Sequence, residues 1–290
     1  MKLEEIIFRS TTWGLLKDHI PSPLRSFMAS GLLKAKRGQA SLKCLFLMPK
    51  YIQNWPSSML KELFLSKNRF IQYRLKNLLK LTIRAKSYDK FIVQEIYTGS
   101  YDIALKELPK SPVVIDAGAH IGVFATKVVK DYPLIDLFCV EPITENLKLL
   151  RKNLDDNNLS NSVTIINGLL SKEEGIKTIY GRKEHSAGFN LYMPTEVKYK
   201  VRSYTLESLM LEHKITHCDL IKLDIEGGEY EVLNNTPSHV FQRIKSIIME
   251  YHPFPKESAD IIGLSDFLSK NGYSLNFYSQ KMLYATKVVK

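Results

Sequence analysis

Apolar strand-like runs and amphipathic helix-like segments alternate along the chain from about residue 88 to its end. The strand-like runs cover residues 113–115, 135–140, 163–167, 219–223, 246–251, 273–278 and 282–285. Strands separated by helices predict a parallel sheet with helices on both faces. Residues 176–202 instead place alternating segments around glycines and a proline, which predicts an antiparallel excursion. The pattern indicates an α/β fold: a doubly wound, mostly parallel sheet of about seven strands with a C-terminal antiparallel hairpin.

The first 87 residues carry a different pattern. Residues 57 to about 80 place apolar side chains at three- and four-residue spacing, which predicts one long amphipathic helix with Lys and Arg on its other faces. Such a helix can pack against its own domain or lie on an anionic surface. We therefore divide the chain into a basic, mainly helical N-terminal extension, residues 1–87, and an α/β domain, residues 88–290. Residues 91–97 fit either a strand or a short helix.

Another helix is predicted from Thr205 to about His213. The third position after Thr205 is Ser208 rather than a glutamate or glutamine. We therefore expect Thr205 to cap this helix alone, without a capping box.

The stretch from residue 113 to residue 122 is the strongest candidate for a ligand site. A buried strand runs into Asp116, then Gly118, His120 and Gly122, and a helix is expected to follow. The glycines allow a tight turn and a close approach of the helix, whose first N–H groups attract an anionic group. His120 occupies the position where a dinucleotide fingerprint needs glycine against a pyrophosphate. The stretch therefore favours a nucleoside ligand without a diphosphate, such as S-adenosylmethionine.

Glu141 is the predicted partner for the ribose of that ligand. It ends the second strand, 25 residues after Asp116, and Pro142 follows it. Acids that accept hydrogen bonds from ribose hydroxyls lie about 20 residues after such a turn. Asp116 can hold the turn or meet the amino group of the methionine part.

Two further groups of residues can carry chemistry. Asp224 and Glu226 follow the fourth strand, where buried carboxylates need a bound cation or amine, or pairing with Lys222. His252 follows the fifth strand, on the same face as Glu250, and could accept a proton from a hydroxyl nucleophile. The sequence assigns no metal site, although Asp224, Glu226 and His252 could ligate a hard cation.

Motifs that the chain lacks narrow the reaction. Methylation of exocyclic amines commonly uses an Asn/Asp-Pro-Pro-aromatic loop after the fourth strand, where this chain has residues 224–227, Asp-Ile-Glu-Gly. Methylation of pyrimidine carbon needs a nucleophilic cysteine, commonly after proline, and none of the three cysteines follows proline. Methyl transfer to an oxygen remains, and it needs in-line positioning and a base.

Charge and cysteine content add expectations about location and partners. Lys and Arg outnumber Asp and Glu by 18 to 6 in residues 1–100, but the ratio is 23 to 24 in the rest of the chain. The basic third is either an ordinary solvated surface or a face for an anionic membrane or nucleic acid. Three widely spaced cysteines suit a reducing compartment. We expect a cytoplasmic protein, with peripheral membrane contact left open.

Together these motifs resemble the FkbM-type family of S-adenosylmethionine-dependent methyltransferases. The matching segments are residues 114–122, 140–142, 205–207, 220–229 and 248–252, and the resemblance runs from about residue 88 to residue 284. It implies a Rossmann-like methyltransferase fold and commonly O-methylation of a sugar, glycolipid or secondary metabolite. It also implies cofactor contacts by Asp116, Gly118, His120, Gly122, Glu141 and Asp224, and catalytic positions at Asp224, Glu226 and His252.

Two other functions remain open at this stage. The basic N-terminal region could hold RNA or DNA for nucleic-acid methylation, which predicts binding with a steep salt dependence. Alternatively, the α/β domain could be a scaffold without activity, with the basic extension docked on a membrane or protein partner. Asp116, Glu141 and Asp224 at their expected positions argue against an inactive scaffold.

Overall fold

The computed structural model describes residues 36–65, 69–181, 189–192, 195, 197–252, 260–278 and 281–288. The chain divides into two compact units, Met1–Leu47 and Met48–Lys290. The first helix, α1 (Lys36–Tyr51), begins in the smaller unit and ends in the larger one. The predicted boundary after residue 87 therefore falls inside the larger unit. Residues 1–35 of the predicted extension lie outside the described residues.

The long helix predicted for residues 57–80 is wrong. Helix α2 (Trp55–Phe64) ends early, and the antiparallel strands β1 (Phe70–Arg74) and β2 (Lys80–Arg84) follow. The buried side chains of β1 alternate, and the chain reverses through a turn in which Leu78 adopts a left-handed φ of 73°. Apolar residues at 71 and 75 fit a helical spacing, but they fit the two-residue period of a strand equally well.

The rest of the larger unit alternates strands and helices as the sequence predicts. Residues 91–97 lie in a helix, α3. In chain order the elements are α3 (Asp89–Tyr97), α4 (Asp102–Leu105), β3 (Val113–Ala117), α5 (Val123–Asp131), β4 (Asp136–Glu141), α6 (Thr144–Asp155), β5 (Val163–Asn167), β6 (Leu169–Leu170), β7 (Gly175–Gly181), β8 (Val197–Tyr204), α7 (Leu206–Glu212), β9 (Leu220–Leu223), α8 (Glu229–Asn234), α9 (Ser238–Phe241), β10 (Ser246–Glu250), α10 (Ile261–Lys270), β11 (Tyr273–Phe277) and β12 (Met282–Lys287).

Seven of these strands form the central sheet, in the order β11-β12-β10-β9-β3-β4-β5. The pairs of β3 with β4 and β9, of β4 with β5, and of β9 with β10 are parallel, and β12 is antiparallel to both of its neighbours. The chain order reverses between β3 and β9, and ligands bind at such switch points beyond the carboxyl ends of the strands. The predicted Rossmann-like architecture with a closing hairpin is confirmed.

The predicted antiparallel excursion is also present. Strands β7 and β8 pair antiparallel, and β6 joins the far side of β8 to give a second, three-stranded sheet. Its apolar side chains Leu169, Ile179 and Val201 form a small core with Ile143. This second sheet stands beside the carboxyl ends of the central strands, where β5 continues into β6.

The start of α7 differs from its prediction. Thr205 Oγ1 accepts a hydrogen bond from the Ser208 backbone N at 3.0 Å, and Ser208 Oγ accepts one from the Thr205 N at 3.1 Å. This is a full capping box. The expectation that Thr205 caps alone was wrong, because the Ser208 hydroxyl accepts the N-cap N–H. In most capping boxes a glutamate or glutamine side chain makes this contact.

Two asparagines, Asn153 in α6 and Asn157 in the turn after it, join the β1–β2 hairpin to the rest of the α/β domain. Asn153 is fully buried, accepts from Thr82 N at 2.7 Å, and donates to the carbonyls of Thr82 and Ile121 at 3.2 and 2.8 Å. Asn157, one turn later and nearer solvent, accepts from and donates to the Lys80 backbone at 2.8 and 2.7 Å. The hairpin therefore belongs structurally to the α/β domain.

We predict that Asn153→Ala lowers the free energy of unfolding by about 2–5 kcal/mol, because it leaves buried backbone groups without partners. Asn157→Ala, the matched control, should cost less than about 1 kcal/mol, since water can replace its contacts. Urea unfolding with an unchanged m-value measures both. Equal costs for the two variants would contradict the role assigned to Asn153.

Candidate active site

A cavity of about 480 Å³ opens at the carboxyl ends of β3, β4, β9 and β10. Its volume falls in the usual range for small-molecule sites, about 300–1,000 Å³. One end is lined by the turn after β3 and by Glu141. The other end is lined by Asp224, Glu226 and His252. Apolar walls come from the second sheet region, through Leu169, Leu170, Ile179, Phe189 and Leu191. The sequence-predicted site residues thus come together around one space, although Asp116 and Gly122 are not among the residues that line it.

The turn after β3 depends on a close backbone contact. A Cβ atom on Gly118 would lie 1.9 Å from the carbonyl oxygen of Asp224, and Gly118 has a left-handed φ of 83°. Gly118 and Ala119 donate their N–H groups to the Val140 carbonyl at 3.0 and 3.2 Å. Glycine is therefore required at 118 by the loop that it touches as well as by its own conformation.

Asp116 forms a buried ion pair. Its Oδ1 lies 2.9 Å from Lys222 Nζ, which also donates to the Gly118 carbonyl at 3.3 Å. Burial lowers the pKa of Lys222, but the nearby carboxylates of Asp116 and Asp224 outweigh it and raise that pKa to about 12. Asp116 Oδ2 is buried and has no hydrogen-bond partner among the described residues. This orphaned oxygen can receive an ammonium group.

Glu141 is almost fully enclosed and holds the surrounding backbone. Its Oε2 accepts from His120 N at 2.9 Å, and its Oε1 accepts from Ile143 N at 2.9 Å and Asn146 Nδ2 at 3.0 Å. A carboxylate offers about four acceptor sites, so one remains beside the three bonds found here. Because Glu141 also lines the cavity, that position is where a ribose hydroxyl can donate.

His120 lines the same end of the cavity as Glu141, and both its backbone and its ring are held by neighbours. Its φ is 50°, an uncommon conformation outside glycine, and its Nε2 lies 3.3 Å from Arg84 Nη2 and 3.6 Å from Asp89 Oδ1. Arg84 in turn contacts Asp89 and Asn146. Burial raises the pKa of Asp89, but His120 and Arg84 outweigh it and hold that pKa below its usual value. The hairpin thereby supports His120 and Asn146, which line the cavity.

Glu229 organises the opposite end. It is fully buried, and it accepts from Ile225 N and Gly227 N at 3.0 Å each, while its Oε1 lies 3.0 Å from His252 Nδ1. His252 Nε2 lies 3.6 Å from Glu226 Oε2. Glu226 has a left-handed φ of 54°, and it lines the cavity. One buried acid therefore fixes both the loop after β9 and the imidazole after β10.

Carboxyl groups crowd this end and shift one another's protonation. Burial raises the pKa of Glu226 to about 7, and Asp224 and Glu229 add to that effect. Burial also raises the pKa of Glu95, on α3, to about 7. The pKa of His252 is lowered by burial but raised more strongly by Glu229, to about 9. The neighbouring carboxylates thus favour the protonated imidazole, and the role of His252 as a proton acceptor stays a prediction.

Sequence reasoning missed three residues of the site. Glu95 comes from α3, far from every motif, and the sequence carries no signal that places it here. Glu229 was not predicted as a site residue, although it lies just after the turn whose N–H groups, those of Ile225 and Gly227, it accepts. Glu250 was noted only as sharing a face with His252, yet it lines the cavity beside Lys281.

Comparison with known proteins agrees with this arrangement. The model of the methyltransferase FkbM domain matches residues 116–275. The chain belongs to the FkbM methyltransferase family. Methyltransferase sdnD of Sordaria araneosa is 26% identical over 193 residues, which cover 56% of this chain and 74% of that protein. Methyltransferase 1 of Beauveria bassiana (strain ARSEF 2860) is 23% identical over 198 residues, covering 57% and 74%.

A solved structure also matches this FkbM methyltransferase. The crystal structure of a putative rRNA methylase from Clostridium thermocellum aligns with a TM-score of 0.44 and 12% identity, over 67% of this chain and 96% of that one.

The cofactor of this FkbM methyltransferase is S-adenosyl-L-methionine, and the cavity fits it. The orphaned Oδ2 of Asp116 suits an ammonium group, and the remaining acceptor site of Glu141 suits a ribose hydroxyl. Within the described residues, no helix is long and apolar enough to span a bilayer.

We predict that Gly118→Ala weakens binding of S-adenosylhomocysteine about 10²-fold, because the Asp224 carbonyl must move by about 1 Å or more. Gly175→Ala is the matched control: its φ is 134°, but nothing lies within 4 Å of the added Cβ. It should lose about 1–3 kcal/mol of stability through backbone strain and keep its affinity. Isothermal titration and thermal unfolding measure the two effects, and unchanged affinity in Gly118→Ala would refute the contact.

Proposed function

We propose that this FkbM methyltransferase methylates a hydroxyl group of a sugar, glycolipid or related hydroxylated metabolite. The observation that supports this best is the acid-lined part of the cavity, where Asp224 and Glu226 lie beside His252 and next to the turn after β3. Transfer to a hydroxyl oxygen releases a proton, so a base near the acceptor is needed, and these carboxylates can serve as one. Methylation of a pyrimidine carbon instead begins with the attack of a cysteine thiolate.

The cysteines speak against that alternative chemistry. Cys139 and Cys218 are free and buried, and burial raises the pKa of both thiols, for Cys218 to about 12. A thiol attacks as its thiolate, so these two groups are unsuited to attack a base. Neither of them lines the cavity.

The roles of the individual residues follow from their positions. When bound, S-adenosyl-L-methionine supplies an electrophilic methyl group on a sulfonium sulfur. Asp116 and Glu141 hold its polar groups, and Gly118 allows the turn to approach the Asp224 carbonyl. Glu226, which is about one-third exposed, accepts the proton of the acceptor hydroxyl. His252, whose Nε2 lies 3.6 Å from Glu226 Oε2, keeps that carboxylate oriented.

The acceptor is selected by the second sheet region. The cavity is lined there by Leu169, Ile179, Phe189, Leu191 and Tyr192. Tyr192 donates to Glu231 Oε2 at 3.1 Å, which anchors this segment to α8. An apolar wall with a few polar groups suits a metabolite that carries both hydroxyls and hydrocarbon surface.

We predict that Glu226→Gln lowers kcat by about 10²–10⁴-fold, because the variant cannot take up the proton. Its affinity for S-adenosylhomocysteine should stay within about threefold of the parent, since Asp116 and Glu141, to which the polar groups of the cofactor are assigned, are unchanged. Single-turnover transfer of a labelled methyl group to a panel of sugars, glycolipids and hydroxylated metabolites measures the rate. Glu174→Gln, an exposed glutamate outside the cavity, serves as the control.

Product analysis by NMR distinguishes the acceptors. A methyl ether on a hydroxylated metabolite supports the proposal. Methylation of RNA or DNA, together with binding that weakens steeply with salt, would replace it with nucleic-acid methylation through the basic N-terminal region. An absence of transfer to any acceptor in a cell extract, with the protein folded and the cofactor bound, would overturn both.

A further inference from the structure

Three metal-ligating side chains converge at the acceptor end of the cavity. One ligand atom from each of Asp224, Glu250 and His252 can be chosen so that all lie within 4.8 Å of one another. Atoms that bind one cation at about 2.0–2.6 Å lie at most about 5 Å apart, so small side-chain rotations suffice to enclose an ion. Strands β9 and β10 pair in parallel, with Leu223 beside Met249. Asp224 and Glu250 are the residues that follow these two, so they come next to each other at the same edge of the sheet.

Negative charge exceeds positive charge around this cluster. Five carboxyl groups line the cavity, those of Glu95, Glu141, Asp224, Glu226 and Glu250, and Lys281 is the single lysine among the described lining residues. Lys281 is more than half exposed and lies 3.6 Å from Glu250. Lys222 lies 3.9 Å from Asp224 but is held by Asp116 at 2.9 Å. Partly buried carboxylates in such an excess need further positive charge.

A buried hydroxyl nearby supplies an independent observation. Tyr101 is 1% exposed, and its hydroxyl has no hydrogen-bond partner among the described residues. Burial raises the pKa of this phenol, and Asp224, Glu95 and Glu250 are close enough to raise it further. A buried hydroxyl without a partner is costly, and a water molecule bound to a cation beside these carboxylates would satisfy it.

The imidazole is held in the manner of a metal ligand. Its Nδ1 lies 3.0 Å from the fully buried Oε1 of Glu229. Histidines that bind metals usually contact a carboxylate through their other ring nitrogen, which fixes the ring and strengthens the ligand. Carboxylate oxygens bind hard cations such as Ca²⁺ and Mn²⁺, whereas an imidazole nitrogen prefers transition metals. A site with two carboxylates and one imidazole therefore suits Mn²⁺ better than Ca²⁺.

We propose that Asp224, Glu250 and His252 bind a divalent cation of the Mn²⁺ type at the acceptor end of the cavity. Binding of the cation displaces the proton from His252 Nε2 to solvent, while Nδ1 keeps its contact with Glu229. The cation holds the acceptor hydroxyl and favours loss of its proton, which passes to Glu226. Binding of the cation is independent of the proposed function. Only its task, to hold a hydroxyl, rests on the proposed O-methylation.

The test is Mn²⁺ binding by the full chain after treatment with a chelator. The loss of the electron paramagnetic resonance signal of free Mn²⁺ should report one site per chain. Glu250→Gln and His252→Gln should each weaken binding about 10–100-fold. Glu174→Gln, an exposed acid outside the cavity, should bind as the parent does. Thermal unfolding and affinity for S-adenosylhomocysteine show whether each variant is folded. If one of Glu250→Gln and His252→Gln does not fold, Mn²⁺ binding by the other variant decides the test.

The outcomes separate this site from the proposed reaction. Failure of the parent chain to bind Mn²⁺, or equal binding by folded Glu250→Gln, overturns the site. Full-rate transfer to a hydroxyl after chelation also overturns the assigned task of the cation but leaves O-methylation standing. One Mn²⁺ per chain that is lost in both ligand variants supports the site even where the methylated acceptor is found to be a nucleic acid.

Discussion

The ion pair between Lys222 and Asp116 is the interaction on which the cavity depends. Residues 116 and 222 are paired in register on β3 and β9, the two strands at the switch point of the sheet. Lys222 Nζ lies 2.9 Å from Asp116 and 3.3 Å from the Gly118 carbonyl, so one ammonium group fixes both strands and the turn between them and the cofactor. The rings of Tyr101 and Phe124 lie 5.6 and 5.7 Å from it and exclude water. Removing one partner of a buried pair costs about 3–5 kcal/mol, because the other charge is left uncompensated.

A second constraint follows from the first. Once the turn is held by Lys222, Gly118 meets the carbonyl of Asp224, and the chain after β9 has little room. It leaves the sheet through Glu226 and Gly227, both with left-handed backbone, and Glu229 accepts the N–H groups on either side. For Glu226, which is not a glycine, this conformation costs about 1–3 kcal/mol. Such conformations persist where the surrounding structure determines them, commonly at functional sites. Here the surroundings are a buried acid and a glycine contact, and their effect is to direct Glu226 toward the cavity.

The sequence predicts the parts that follow from periodicity and from motifs placed at strand ends. Strands of β-branched residues, the turn at 116–122 and the acid at 141 all appear where expected, because each is defined by a few neighbouring residues. The β1–β2 hairpin escaped prediction because its apolar residues fit two periods and its turn uses Leu78 rather than glycine. Glu95 escaped for a different reason. Its place in the cavity depends on how α3 packs, which involves contacts distant in sequence, and no local pattern encodes them.

The hydrogen bonds of the acids divide them into two classes, a division that the sequence does not show. Glu141 and Glu229 each accept two backbone N–H groups at 2.9–3.0 Å, and such bonds fix the loops that carry them. Asp224, Glu226 and Glu250 instead face Lys222, His252 and Lys281 at 3.6–3.9 Å. Acids of the first class are held too firmly to move a proton, whereas those of the second retain acceptor capacity toward the cavity. The proposed proton transfer and cation binding therefore use acids of the second class, and acids of the first class fix the loops around them.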